Sequence, residues 1–527
     1  MDLIIKEATV IDGSGAPGFQ ADLGIKDDRI EVLGQLNNVP SAAVIQAGGK
    51  VVCPGFIDIH SHSDYHLLIN PQSESKIRQG VTTEVGGNCG YAAAPIGNQE
   101  LEERRGHYKK NFDLELDWQT LPEYRRRLEK AKISVNYAPL VGHNTLRATV
   151  VGMENRPPTS RELTQMAALT EEAMQEGAFG ISSGLVYPPA CYARAPELIA
   201  LCKAAARYGG FFSCHMRSEG PRLLEALDEI ILVARKARIP LQISHLKTAG
   251  AANWYKLSQA FERIEKAQAQ GVPITADRYP YLASNAGLQA LLPDWAFEGG
   301  TEARLRRLQD PSARRRIQKE ILENHPEEEY WEKILISEAA SEENQRWVGH
   351  TVAGAAAGKA KPPLEFVLDL LLQENMQVEA IYFMMSEKNL REILSKPYVM
   401  IGSDSACRAH YGPLSKGKPH PRAYGTFPRV LDRFVNKEGV LNLEEAVYKM
   451  TGAPAQKLGL KDRGRIREGF KADIVVFDPR KITDTATYQN PAGYPEGIDC
   501  VIVNGAITVE NGSHTGIGKG CVLAKGN

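Results

Sequence analysis

Eight short apolar runs constrain this chain more than any other feature, because each ends in a polar or chemistry-bearing residue and helical stretches separate several of them. The runs cover 56–60, 81–85, 134–141, 179–182, 211–215, 241–245, 272–277 and 398–404. Between them, 162–176, 195–208 and 223–237 carry apolar residues at helical spacing. Strands that alternate with helices pair in parallel, since a parallel connection needs a crossover rather than a tight turn. Eight such units over 55–459 predict an α/β fold, a closed (β/α)8 TIM barrel rather than an open doubly wound sheet. The gap before the last run far exceeds a normal loop, so 291–348 reads as a helical insertion and a candidate lid over the site. Its basic run from Arg304 to Lys319 is interleaved with Leu and Ile at helical spacing and reads as solvated helix faces.

Both ends of the chain have a different texture. Short strands separated by Gly, Asp and Asn turns are expected at 3–5, 8–11, 22–25, 29–33 and 43–46, then again at 474–477, 500–503 and 506–509. Neither end is long enough for a core of its own. They are expected to pair into one small β-sandwich domain made from 1–54 and 460–527. A formal charge of −1 over 527 residues leaves no electrostatic footprint for nucleic acid or an anionic membrane. No apolar run approaches the ~18 residues needed to cross a bilayer, and Asp2, Lys6 and Glu7 interrupt any signal-peptide core. Eight scattered cysteines form no disulfide framework. These features predict a cytoplasmic protein, in a reducing compartment where a thiolate can serve as a metal ligand. Nothing in the sequence sets the oligomeric state.

In such barrels the reacting groups sit at the C-terminal ends of the strands. His60 and His62 close the first run two residues apart, and side chains at i and i+2 share one face of a strand. A lone pair of this kind is a weak signal, better explained by two hydrogen-bonded histidines at a strand end. His215, His245 and Asp404 end three further runs in the same manner, and that repetition favours a metal centre. Imidazoles with a carboxylate suit Zn²⁺, with one position left open for water. Cys89 lies in the Gly-rich loop Gly86-Gly-Asn-Cys89-Gly90 just past the second run, where a thiolate can reach a metal; the bland alternative is a small core residue. Lys247, two past His245, suits carboxylate binding or plain solvation. Tyr279, Tyr281 and Ser284, just past the seventh run, can hydrogen-bond a substrate or pack the barrel rim.

These residues resemble the amidohydrolase superfamily. The resemblance rests on Gly55-Phe-Ile-Asp-Ile-His60-Ser-His62-Ser-Asp64, His215, His245, Gly402-Ser-Asp404 and the C-terminal segment Gly464-Arg-Ile-Arg-Glu-Gly-Phe-Lys-Ala-Asp473. Within it, Gly87-Asn-Cys89-Gly90, Ile243-Ser-His245-Leu-Lys247, Asp277-Arg-Tyr-Pro-Tyr281 and His420-Pro-Arg422-Ala-Tyr-Gly425 are similar to the N-acyl-D-amino-acid deacylases. The resemblance implies a tight zinc on Cys89, His215 and His245. It also implies a weaker second metal position on His60, His62 and Asp404, with Cys89 able to bridge. Asp404 would be general base and then general acid. Lys247, Tyr279 and Arg422 would hold the substrate α-carboxylate.

Two departures from the family pattern matter. The segment from Asp404 to Arg422 is longer than the family's, which bears on where Arg422 sits. Relatives selective for N-acyl-D-glutamate carry an arginine soon after the Tyr-Pro-Tyr segment, whereas Leu282-Ala-Ser-Asn-Ala-Gly-Leu-Gln289 has no cation. The expected reaction is therefore zinc-dependent hydrolysis of N-acyl-D-amino acids with neutral or apolar side chains. The competing readings are a dihydropyrimidinase- or dihydroorotase-like amidase, which expects a lysine in the role given to Cys89, a dipeptidase specific for a D-residue, and a non-catalytic scaffold on the same fold.

Overall fold

All eight apolar runs form strands. The structure, a computed structural model, describes residues 1–526, and the side chains of all of these except 98, 99 and 103. The barrel strands are Phe56–Asp58, Val81–Gly86, Asn136–Pro139 continued by Val141–Gly142, Gly180–Gly184, Phe211–His215, Leu241–Ile243, Ile274–Arg278 and Val399–Ile401. Neighbours pair in parallel in that order. The third strand is interrupted at Leu140, so its two halves pair with different neighbours. A parallel bridge between Ser61 and Ser405, just beyond the first and eighth strands, closes the ring. Closure removes the sheet edges that would otherwise need covering.

The helices expected between strands are present as Ser160–Gln175, Ala195–Ala206 and Leu223–Ala237. The first starts sharply because Thr159 and Glu162 form a reciprocal capping box. Leu227, Ile230 and Ala234, three and four residues apart, lie on the buried face of the third helix and share one core with Phe212 and Ile243 of the barrel. That stripe holds the fifth and sixth strands, and with them His215 and His245, against an unyielding outer layer.

Strands from both ends of the chain join in one nine-stranded sheet, as two blocks that meet at a single seam. Its seam is Val51–Pro54, antiparallel to Ile474–Phe477 and parallel to the end of Leu3–Val10. The two strands expected at 3–5 and 8–11 are a single strand with a bulge between Ile5 and Ala8, where Glu7 takes a positive φ of 57°. The tail then leaves this sheet: Tyr137 of the barrel bridges Val522, and the Lys525 N–H donates to the Gly177 carbonyl at 2.9 Å.

The segment before the eighth strand corrects the expectation of a helical insertion over 291–348. It contains a three-stranded antiparallel sheet of Ala283–Gly287, Ile334–Ala339 and Val378–Phe383. Helices Gly300–Gln309, Pro311–Asn324, Val352–Gly358 and Pro363–Gln373 accompany it, and the unit has its own core, including Ile317, Ile336, Val367, Leu371 and Ala380. The strands escape a periodicity reading because each is five or six residues long and two of them carry glutamates. Nor is Arg304 solvated: it is 8 % exposed, with its guanidinium 4.4 Å from the Phe297 ring centroid. None of the described helices is long and apolar enough to cross a membrane.

Candidate active site

The structure brings Cys89, His215 and His245 together at the C-terminal mouth of the barrel. Their donor atoms lie within 4.8 Å of one another, and so do those of His60, His62, Cys89 and Asp404. Cys89 Sγ is 3.3 Å from His60 Nε2, 3.6 Å from His245 Nε2 and 3.7 Å from His215 Nδ1. His62 Nε2 lies 3.0 Å from Asp404 Oδ1, and His60 Nε2 lies 3.4 Å from the same oxygen. A tetrahedral zinc with bonds of about 2.0–2.3 Å has donor–donor edges of roughly 3.3–3.8 Å. The two edges from Cys89 to His215 and His245 match that spacing, while the His215–His245 edge, 2.9 Å, is shorter. A soft thiolate with two imidazoles in a buried cup is a donor set that fits zinc.

Backbone strain accompanies this convergence. Cys89, His245 and Asp404 all have positive φ, at 50°, 36° and 50°. Side-chain-bearing residues adopt this region rarely, at a cost of order 1–3 kcal/mol each. The glycines beside Cys89 explain how its loop tolerates the turn. A Cβ on Gly90, itself at φ +81°, would lie 1.7 Å from Asn144 Oδ1, and one on Gly87 would lie 2.4 Å from the Leu140 carbonyl oxygen. Only glycine lets the loop press this tightly onto the barrel rim.

Burial opposes ionisation of the Cys89 thiol, but His60, His215 and His245 overcome it and hold the thiol well below its usual range. Burial likewise opposes the Asp404 carboxylate, yet Arg422, His245, His62 and His60 keep it ionised well below the ordinary range. Arg422 reaches Asp404 Oδ2 through Nη1 at 2.7 Å. The long segment between these two residues therefore loops back, and Arg422 is in the site.

Three supporting groups were not among the candidates drawn from the sequence. Asp277 Oδ1 lies 3.0 Å from His60 Nδ1 and accepts the backbone N–H of His245 at 2.8 Å. An anionic partner at Nδ1 accepts the ring N–H there, which fixes the tautomer and leaves the Nε2 lone pair free to ligate a metal. Glu219 does the same for His245, 2.9 Å from its Nδ1, and also pairs with Lys247. Burial disfavours the Glu219 carboxylate, but Lys247, His245 and His215 together hold it far below its ordinary range. Beneath the mouth, fully buried Lys76 donates to Asp58 at 2.6 Å and to the Ser405 carbonyl at 2.7 Å, and the Ser403 N–H donates to Asp58 at 2.9 Å. This network grips both sides of Asp404. Removing the outer partner of a ligating histidine costs about 10–100-fold in metal affinity. Glu219→Gln should therefore weaken zinc binding by that range, read by competition with a chromophoric chelator; unchanged affinity would reduce Glu219 to a partner of Lys247 alone.

A cavity of about 1120 Å³ opens above the donors and is lined by Cys89, His215, His245, Lys247, Ser284, Asp404 and Arg422. Tyr279 is fully buried, its hydroxyl has no hydrogen-bond partner among the described residues, and its ring lies 4.6 Å from the Arg422 guanidinium carbon and 5.9 Å from Lys247 Nζ. Tyr281, by contrast, points away and packs against His420, with its hydroxyl 3.2 Å from Asp484. Ser284 belongs to the antiparallel sheet of the insertion, so that unit supplies part of the cavity wall.

A family model described as the Amidohydrolase family matches residues 43–509. The chain belongs to the amidohydrolase family. This amidohydrolase is 36% identical to a D-aminoacylase of Alcaligenes xylosoxydans xylosoxydans over 99% of its own length and 98% of the relative's. It is 34% identical to an N-acyl-D-aspartate deacylase of the same organism, over 100% and 95% of the two chains. Among solved structures it is similar to N-acyl-D-glutamate deacylase from Bordetella bronchiseptica, complexed with zinc and a phosphonate mimic of the tetrahedral intermediate. There the TM-score is 0.84 and the identity 31%, over 99% of both chains.

Proposed function

We propose that this amidohydrolase is a zinc-dependent N-acyl-D-amino-acid deacylase that releases a carboxylate and a free D-amino acid. The observation that carries the reading is the meeting of Cys89, His215 and His245 beside His60, His62 and Asp404 at one barrel mouth. The D configuration and the linear amide come from its relatives, a D-aminoacylase and an N-acyl-D-aspartate deacylase matched along nearly the whole chain.

Cys89, His215 and His245 would hold the tight zinc, and His60, His62 and Asp404 a weaker second position that Cys89 can share. Zinc held there would acidify a bound water to near-neutral pH and polarise the amide carbonyl. Asp404 accepts the proton from the attacking water and returns it to the departing nitrogen, so one carboxylate serves as base and then as acid. Arg422, Lys247 and the free Tyr279 hydroxyl receive the α-carboxylate, and Ser284 lines the approach. Glu338 and Glu379 on the cavity wall repel an acidic side chain, which agrees with the missing arginine after Tyr281. The terminal sheet, read as a small sandwich, and the insertion, read as a lid, frame the barrel without supplying a metal donor.

The test is hydrolysis of N-acetyl-D-methionine against N-acetyl-L-methionine and dihydrouracil, with bound zinc measured on the same preparation. Zinc-dependent turnover of the D-amide alone is expected. Preferential opening of dihydrouracil, or faster turnover of the L-amide, would replace this reading with a cyclic amidase or an L-acylase.

A further inference from the structure

Most of the charged groups lining the cavity are already paired. Lys247 meets Glu219, Arg422 meets Asp404, and Arg408 lies 3.4 Å from Glu338. Glu379 is a different case. It lines the cavity and is half-buried, yet among the described residues it has no basic side chain within ion-pair distance. Its one hydrogen bond there is from Asn285 Nδ2, at 3.0 Å to Oε2. The other carboxylate oxygen has no donor among the described residues.

Its placement on the sheet sharpens the point. Glu379 on Val378–Phe383 is paired directly with Glu338 on Ile334–Ala339. Like charges at opposed positions of a β-ladder are destabilising, and Arg408 offsets only the Glu338 side of the pair. Burial and the neighbouring charge of Glu338 push the Glu379 carboxyl up to about 7, against the weaker pull of Asn285, Arg408 and Arg422. A wall that keeps two adjacent carboxylates at a cost in stability is shaped for a counter-charge. Arg422 and Lys247, the cations proposed to receive the substrate carboxylate, line the same cavity and flank the Tyr279 ring at 4.6 and 5.9 Å. Glu338 and Glu379 line that cavity together with these two cations.

We propose that Glu379, with Glu338 beside it, selects substrates that carry a protonated amine in addition to the α-carboxylate and the scissile amide. An ammonium has three donors and no acceptor, so it satisfies the free Glu379 oxygen where an apolar side chain does not. Two sources share this chemistry, the terminal amine of a D-side chain such as D-lysine and the free amine of an aminoacyl group. The inference rests on the deacylase reading above and extends its preference from merely non-acidic to cationic.

The readout is a pair of kcat/KM ratios on the zinc-loaded protein. The first compares N-acetyl-D-lysine with N-acetyl-D-norleucine, which lacks only the amine. The second compares glycyl-D-methionine with N-acetyl-D-methionine. At least one ratio should exceed one in the wild type and fall by about tenfold or more in Glu379→Gln. A further fall, with a gain on N-acetyl-D-glutamate, is expected in Glu379→Arg. The ratio that responds identifies the source of the amine. Ratios at or below one, or ratios that neither variant moves, overturn the inference while N-acetyl-D-methionine turnover keeps the deacylase reading intact. Absence of any D-amide hydrolysis overturns both.

Discussion

Asp404→Asn protein should retain its zinc and lose about 10²–10⁴ in kcat, the usual cost of removing a general acid–base group. Asparagine keeps the shape of the side chain but cannot take a proton from water or return one to the leaving nitrogen. The metal should stay because Cys89, His215 and His245 form a complete donor group without Asp404. KM supplies a second readout. In the wild type Arg422 is engaged by Asp404 at 2.7 Å. Neutralising that partner frees the guanidinium for the substrate carboxylate, so KM should stay level or fall. Steady-state kinetics with metal analysis on the same sample decide the matter, and near wild-type kcat would remove Asp404 from the proton transfers.

Cys89→Ala should have an even broader effect, the loss of tightly bound zinc and of activity in proportion. Cys89 touches both donor groups, with His60 on one side and His215 and His245 on the other. Its removal leaves two neutral imidazoles where a thiolate had supplied the negative charge that a divalent ion prefers. The drop in affinity should exceed the roughly 10–100-fold lost when an outer partner of a ligand is removed. Zinc content after exhaustive dialysis measures it. Full retention of zinc would make Cys89 a small buried residue and nothing more.

The donors were legible in the sequence because a barrel strand announces itself as an apolar run and its catalytic end as the residue that breaks the run. His60, His215, His245 and Asp404 all follow that grammar. Asp277 follows it too, at the end of Ile274–Arg278, and the signal for its role was present in the spacing. Glu219 carries no such mark: it lies in a loop four residues past His215, and only the fold shows that it reaches His245. The Lys76–Asp58 pair is invisible for a similar reason, since its members come from a helix and a strand 18 residues apart and join a third partner, Ser403, 327 residues from Lys76. The insertion was misread because its short strands derive their stability from one another and from a separate core, not from local periodicity. Glu379 was therefore out of view as well.

The bridge between Ser61 and Ser405 joins stretches made at opposite times in the life of the polypeptide. A nascent chain that has reached residue 300 already contains Cys89, His215 and His245, the whole of one donor group. It still lacks Asp404, whose arrival beside His62 spans 342 residues. The proposed zinc donors are thus all synthesised before the residue proposed to move the proton, and on that reading a chain cut short of its last barrel strand would lack the means to turn over substrate.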